Sequence, residues 1–190
     1  MIIAQISDTH ILAKSSDQAV GTSRADNLRR CITDINRQGV DAVVHTGDSV
    51  QSGVAEEYAH LRKILADLEA PLFLTPGNRD GQAALREAFN DLSYLPREGD
   101  FLHYVVEDYP VRLVALDSVS AGERKGVFCA QRLAWLEETL GQEPHRRTIL
   151  FIHHPPFHIA PHYLDGYRNP KDAENLEALV NCHPQVERLL

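Results

Sequence analysis

Four apolar runs in the chain each end in residues of one chemical kind. "IIAQI" is followed by Ser7, Asp8, Thr9 and His10, and "DAVVH" by Thr46, Gly47 and Asp48. "LFLTPG" delivers Asn78, Arg79 and Asp80, and "TILFI" delivers His153 and His154. Taken singly, each has an ordinary explanation. An Asp at a strand end is commonly a helix cap or turn former, a loop His is commonly solvated, and Asn after Pro-Gly is by default a turn residue. Four strand ends that each carry a potential ligand make a set. Two carboxylates, two imidazoles and an amide suit manganese, iron or zinc better than calcium or magnesium alone. Asp8 and His10 are two apart, so an extended segment would send both side chains the same way. Gly47 permits a sharp turn that lets Asp48 lie between two ions, and Asn78 offers a neutral oxygen that limits accumulated charge. His103, His145, His158, His162 and His183 read as structural.

The elements that must position these groups follow from periodicity. Residues 2–6, 40–45 and 72–75 read as short buried strands. Between them, Ala25, Leu28, Ile32 and Ile35 recur at helical spacing behind a Ser23/Asp26 cap and before Gly39. Val54, Tyr58, Leu61, Leu65 and Leu68 mark a second amphipathic helix, and "GQAALREAFN" a third. "FLHYVVED" and "VRLVALD", split by Tyr109-Pro110, read as an antiparallel hairpin. A helix around "QRLAWLEETLG" is expected to stop at Gly141, with "RTILFIH" as the next strand. The last helix starts at Asn169-Pro170, with Asp172 in its first turn and Leu176, Leu179 and Val180 as its apolar stripe; "QVERLL" opens another strand. Alternation of strands and helices implies an α/β fold with a largely parallel sheet covered on both faces, and the hairpin implies a mixed second part. In such sheets binding groups collect beyond the carboxyl ends of strands.

The bulk numbers restrict the partners. A hydrophobic share of 43% with 24% charged residues supports a real core, and 190 residues suit a single domain, with no repeat or linker visible. The formal net charge of −8 argues against a nucleic-acid polymer as partner, although bound cations can still draw small anions. Cys31, Cys129 and Cys182 form no CxxC pair, and no signal or membrane span is evident, so a soluble, cytoplasmic protein is expected. Oligomeric state is not legible.

"ISDTH", "HTGDSV", "LTPGNRD" and "FIHHPP", in this order, resemble the calcineurin-like metallophosphoesterase superfamily. "GVAEEYAHLRKIL" and "APLFLTPGN" are similar to its bacterial class III cyclic-nucleotide and glycerophosphodiester phosphodiesterase branch. The resemblance spans essentially the whole chain and implies a layered sandwich of mixed, largely parallel sheets flanked by helices. It implies a pair of divalent or mixed-valence ions (manganese, iron or zinc), with Asp8 and His10 on one, Asp48 bridging, and Asn78 and His153 on the other; His154 would be a neighbour. The implied reaction is hydrolysis of small phosphodiesters, cyclic nucleotides or glycerophosphodiesters, by in-line attack of a hydroxide held between the ions. The alternatives are a phosphomonoesterase or nucleotide pyrophosphohydrolase on the same scaffold, or a non-catalytic binding protein with an incomplete metal site.

Two departures from the family pattern stand out. Where the family has His after the Asn, this chain has Arg79, whose guanidinium cannot act as a general acid but can hold a phosphate oxygen and steady a transition state. The competing reading is that Arg79 pairs with Asp80 and shapes the loop. Second, the family carries a Gly-His-x-His strand that completes both metal shells, and the chain stops at "HPQVERLL", where that strand would begin. A truncated chain, a naturally short one, or substitution by His158, His162 or His183 would each account for this. Residues 1–190 read as a single domain truncated before that strand, and if the chain ends at Leu190, weak metal occupancy and poor activity are expected.

Overall fold

The computed structural model describes residues 1–17, 23–158 and 166–190. Strands β1 (Ile3–Ile6), β2 (Ala42–Thr46) and β3 (Leu72–Thr75) form a parallel sheet in the order β1-β2-β3. Strands β4 (Tyr104–Val106), β5 (Arg112–Leu116), β6 (Thr148–Ile152) and β7 (Val186–Leu189) form a second sheet in chain order. There β4 and β5 are the expected antiparallel hairpin, while β5, β6 and β7 run parallel.

Side-chain alternation along β5 and β6 shows how the layers stack. Leu113, Ala115 and Phe151 join Val44 and Leu74 of the first sheet in one buried cluster. Val114, Leu116, Leu150 and Ile152 point the other way and pack against Leu136, Leu140 and Leu176. Those last three lie on α5 (Ala130–Gln142) and α6 (Pro170–Asn181), which cover the outer face. Leu28, Ile32, Leu61 and Ile64, from α2 (Arg24–Gln38) and α3 (Ala55–Leu65), belong to the first cluster. Burial of one such Leu or Ile side chain contributes about 1.5–3 kcal/mol, so each amphipathic stripe is enough to seat its helix.

The caps behave as their residues dictate. Ser23 Oγ accepts from the amide of Asp26, and Gly39 ends α2 in the left-handed region at φ 59°. Pro170 opens α6, where its missing N–H costs nothing. Helix α5 does not stop at Gly141 but runs to Gln142; Gly141 has open space around it and an ordinary helical backbone. The short helices α1 (Lys14–Asp17) and α4 (Gln82–Ala88) complete the set. No helix among the described residues is long and apolar enough to cross a membrane.

Parallel pairing Ile6↔His45 and Thr46↔Thr75 brings the carboxyl ends of β1, β2 and β3 to one edge. The imidazole of His153, one residue past β6, donates from Nδ1 to Thr46 O at 2.9 Å and ties the second sheet to that edge.

Candidate metal centre

The four strand ends meet. His10 Nε2 lies 3.6 Å from Asp8 Oδ1 and 3.8 Å from Asp48 Oδ2. His153 Nε2 lies 3.5 Å from Asp48 Oδ1 and 3.2 Å from Asn78 Oδ1. The two oxygens of Asp48 thus face different imidazoles, one on each side. Asp8, Asp48 and His153 each offer a ligand atom within 4.8 Å of the others.

Backbone geometry sets this cluster apart from the rest of the chain. Asp8, His10 and Asp48 lie at φ 53°, 45° and 51°, and no other non-glycine residue among those described has positive φ. The extended segment expected for Asp8 and His10 is therefore replaced by two left-handed residues flanking Thr9. Each such residue costs about 1–3 kcal/mol and persists only where its surroundings over-determine it. Here they do. Asp8 N, His10 N and Ile11 N donate to the carbonyls of Gly47, Asp48 and Ser49, all at 3.0 Å, so the two ligand loops are laced together. Gly47 (φ 93°) and Gly77 allow the close approach. A Cβ on Gly47 would sit 2.6 Å from His153 Nδ1, and one on Gly77 only 2.2 Å from Asp48 N.

Asp80, which only the competing reading paired with Arg79, does something else. Its buried carboxylate accepts from Ser49 N (3.1 Å), Ser49 Oγ (2.6 Å), Val50 N (3.3 Å), Gly77 N (2.9 Å) and Tyr58 Oη (3.1 Å). It knots the Asp48 loop to the Asn78 loop, and the Arg79 side chain has no hydrogen bond or ion pair among the described residues. Arg79 is exposed, and only its amide is engaged, donating to Asp48 Oδ1 at 2.7 Å.

Proton bookkeeping shows what the cluster is built to hold. His153 spends its Nδ1–H on Thr46 O, so in the neutral ring Nε2 is a lone pair. That lone pair faces the acceptor oxygens of Asn78 and Asp48 with no proton between them. Burial pushes the Asp48 carboxyl above its ordinary value, against the opposing pull of His153 and the Arg79 amide. Lone-pair atoms of nitrogen and oxygen turned toward one another at these distances are an arrangement that could accept a cation, and the mixed donor set fits a transition-metal ion.

His154 is not part of this set. It is buried, its Nδ1 meets Ser118 Oγ at 2.7 Å, and burial drives its pKa down to about 3. Gly126 closes over it, where a Cβ would come within 2.5 Å of His154 Cβ. Of the proposed substitute ligands, His183 precedes β7 at the opposite end of β6 from His153, beside Gln185. His158 is exposed and meets Arg168, and His162 lies outside the described residues. A cavity of about 380 Å³ opens on the cluster; beyond the five residues named above, the described residues on its walls are Arg79, His154, Pro155 and Tyr167.

Three groups that build the site went unassigned in the sequence reading. His45 sits fully buried within β2 and meets Thr9 Oγ1 at 3.0 Å; a histidine inside an otherwise apolar strand was the available signal. Asp80 looked like a loop residue, and nothing in its neighbours foretold its donors. Tyr167 lies far along the chain, with no pattern linking it to the cavity.

Residues 1–186 match the family model described as calcineurin-like phosphoesterase. The chain belongs to that family. A probable glycerophosphodiester phosphodiesterase, GpdQ, of Arcobacter nitrofigilis is 34% identical over 188 residues, covering 98% of this chain and 68% of the relative. The 3′,5′-cyclic adenosine monophosphate phosphodiesterase CpdA of Escherichia coli K12 is 30% identical, covering 99% of this chain and 67% of the relative. Among solved structures, a dimetal phosphatase from Danio rerio superposes with a TM-score of 0.72 at 15% identity, covering 98% of this chain and 79% of that one, a likeness of fold. The two phosphodiesterases agree with the bacterial branch that the motifs resembled.

Proposed function

We propose that this calcineurin-like phosphoesterase is a metal-dependent phosphodiesterase acting on small phosphodiesters, of the cyclic-nucleotide or glycerophosphodiester kind handled by its relatives. Asp8, His10, Asp48, Asn78 and His153 would hold two ions, Asp48 being the residue whose carboxylate lies between the two imidazoles. The observation that carries the reading is the convergence of His153 Nε2, Asn78 Oδ1, His10 Nε2 and the two Asp48 oxygens at one point. When bound, such ions supply Lewis acidity toward a phosphoryl oxygen and acidify a coordinated water to a pKa near ~7.

The chain's own residues do the rest. Arg79, exposed at the cavity wall with a free guanidinium among the described residues, is placed to take a phosphate oxygen through a charge-assisted contact. It keeps its proton at any working pH, so it stabilises charge and does not protonate the leaving alcohol. His154 is neutral and its Nε2 is buried, so among the described residues no imidazole outside the ligand set presents an exposed nitrogen on the cavity wall. Departure of the alcohol then relies on a water proton or on a leaving group of low basicity. The three thiols, all free, accord with a cytoplasmic setting.

Hydrolysis of bis(p-nitrophenyl) phosphate with added manganese, abolished by chelator and restored by metal, tests the activity. Asp48→Asn should lose both turnover and metal binding by calorimetry. Arg79→Ala should keep metal binding and lower kcat by roughly 10²–10³-fold, the range for removing one preorganised stabilising donor. Arg79→His should raise alkyl-ester turnover relative to aryl-ester turnover, since it restores a titratable donor. An unchanged aryl-to-alkyl ratio would remove Arg79 from the chemistry.

A further inference from the structure

Outside the ligand set, four described residues line the cavity, and they differ in kind. Arg79 brings charge, His154 presents a ring whose polar atoms are already enclosed, and Pro155 and Tyr167 bring flat apolar surface. A phosphodiester bound with its phosphoryl group at the carboxylate-imidazole cluster must lay an ester arm against the remaining walls. Among the described residues that line the cavity, Tyr167 is the one phenol or phenyl ring.

Tyr167 is also held in place, which a residue merely passing the rim would not be. Its carbonyl accepts from Gly126 N at 3.0 Å. Its phenol oxygen accepts from Arg124 Nη2 at 3.2 Å, and the Arg124 guanidinium carbon lies 5.6 Å from the ring centroid. Gly126 is in turn packed onto His154, so the 120–128 loop links the ring to the β6 end of the centre. Arg124, carried by that loop, is thus a brace for the ring. A cavity of about 380 Å³ falls within the range of pockets that enclose a small molecule carrying a ring system.

We propose that Tyr167, braced by Arg124, is a stacking platform for a planar group on the substrate, so that the site prefers phosphodiesters bearing a nucleobase or aryl ring over ring-free glycerophosphodiesters. The inference rests on the phosphodiesterase reading and narrows its substrate class. Every base has a π-face, so a platform of this kind selects planarity and is tolerant of base identity.

The test is the ratio of kcat/KM for cyclic AMP over glycerophosphocholine, measured with the manganese-loaded protein. Tyr167→Leu should lower that ratio on the order of tenfold, chiefly through KM for the cyclic nucleotide, as loss of one base–aromatic stack implies. Tyr167→Phe should restore it, and Arg124→Gln, which loosens the brace without touching the ring, should lower it by a smaller factor. Equal losses on both substrates, or a ratio unmoved by Tyr167→Leu, would overturn the platform while leaving the phosphodiesterase reading standing. If the wild-type protein turns over neither substrate, the phosphodiesterase reading fails. Calorimetric binding of a cyclic phosphorothioate against glycerophosphocholine then decides the platform by itself. Tighter binding of the cyclic compound, lost in Tyr167→Leu, upholds it, and indifference overturns it.

Discussion

Thr9 ties the segment that carries Asp8 and His10 to the neighbouring strand end. Its hydroxyl donates to Ser49 O at 2.8 Å, so the 3.0 Å contact with His45 must be a donation from His45 Nε2–H to Thr9 Oγ1. That fixes the tautomer of a fully buried imidazole, leaves Nδ1 without a partner, and agrees with burial holding the His45 pKa down to about 4. Thr9 is thus gripped from two directions between Asp8 and His10, the residues whose left-handed backbone has to be maintained. Thr9→Val keeps the volume and deletes both bonds; it should cost about 1–3 kcal/mol, because a buried donor is stranded. His45→Leu should cost less in the Thr9→Val background than in the wild type, and a urea double-mutant cycle measures the difference. Strictly additive costs would mean the two side chains do not act together. Imidazole nitrogen shifts of His45 offer a second check, since they report which nitrogen bears the proton.

At the scale of elements, two glycines should respond in opposite directions to the same substitution. Gly77, in the turn after β3, has no room: its added Cβ would meet Asp48 N at 2.2 Å and Asp48 Oδ1 at 2.3 Å, so backbone must move. Gly77→Ala should cost at least about 1–3 kcal/mol and weaken metal binding with it. Gly141 lies inside α5 with nothing within 4 Å, and Gly141→Ala should stabilise by about 0.5–1 kcal/mol. Thermal midpoints of the two variants, moving apart from the wild type, check the pair. The same contrast shows what was legible in the sequence. Apolar runs of strand length, the Ser23 and Gly39 caps and Pro170 are local signals, and the elements stand where those signals put them. Gly141 misled because a glycine ends a helix only when its backbone turns left-handed, and the chain beyond it decides whether that turn is made. The split into two sheets, and the knot at Asp80, depend on partners from distant parts of the chain. Short-range pattern does not report them, although it delivered the donor set itself: Asp8, His10, Asp48, Asn78 and His153 each come after a recognisable strand.

For the whole molecule, buried histidines set how folding responds to acid. His103 is packed flat on Trp135, ring centroids 4.7 Å apart, and its Nδ1 accepts from Asp117 N at 3.0 Å. Burial, with Arg132 nearby, lowers its pKa from 6.5 to about 3. The folded protein therefore refuses a proton that the unfolded chain accepts below about pH 6.5. Stability from His103 is complete above that value and falls as pH drops toward about 3, at up to roughly 1.4 kcal/mol per pH unit. His45 and His154, with pKa values lowered by burial to about 4 and about 3, add in the same sense. Asp48 and Asp117 oppose them: burial raises both carboxyl pKa values, so these groups regain stability as pH falls. The decisive quantity is thus a difference between variants. His103→Gln keeps an acceptor for Asp117 N but cannot titrate. In chelator, urea midpoints taken from about pH 7 to about pH 5 should fall more steeply for the wild type than for His103→Gln. Parallel curves would mean that His103 takes up its proton without unfolding, and the strand-end network around Asp117 would have to yield locally instead.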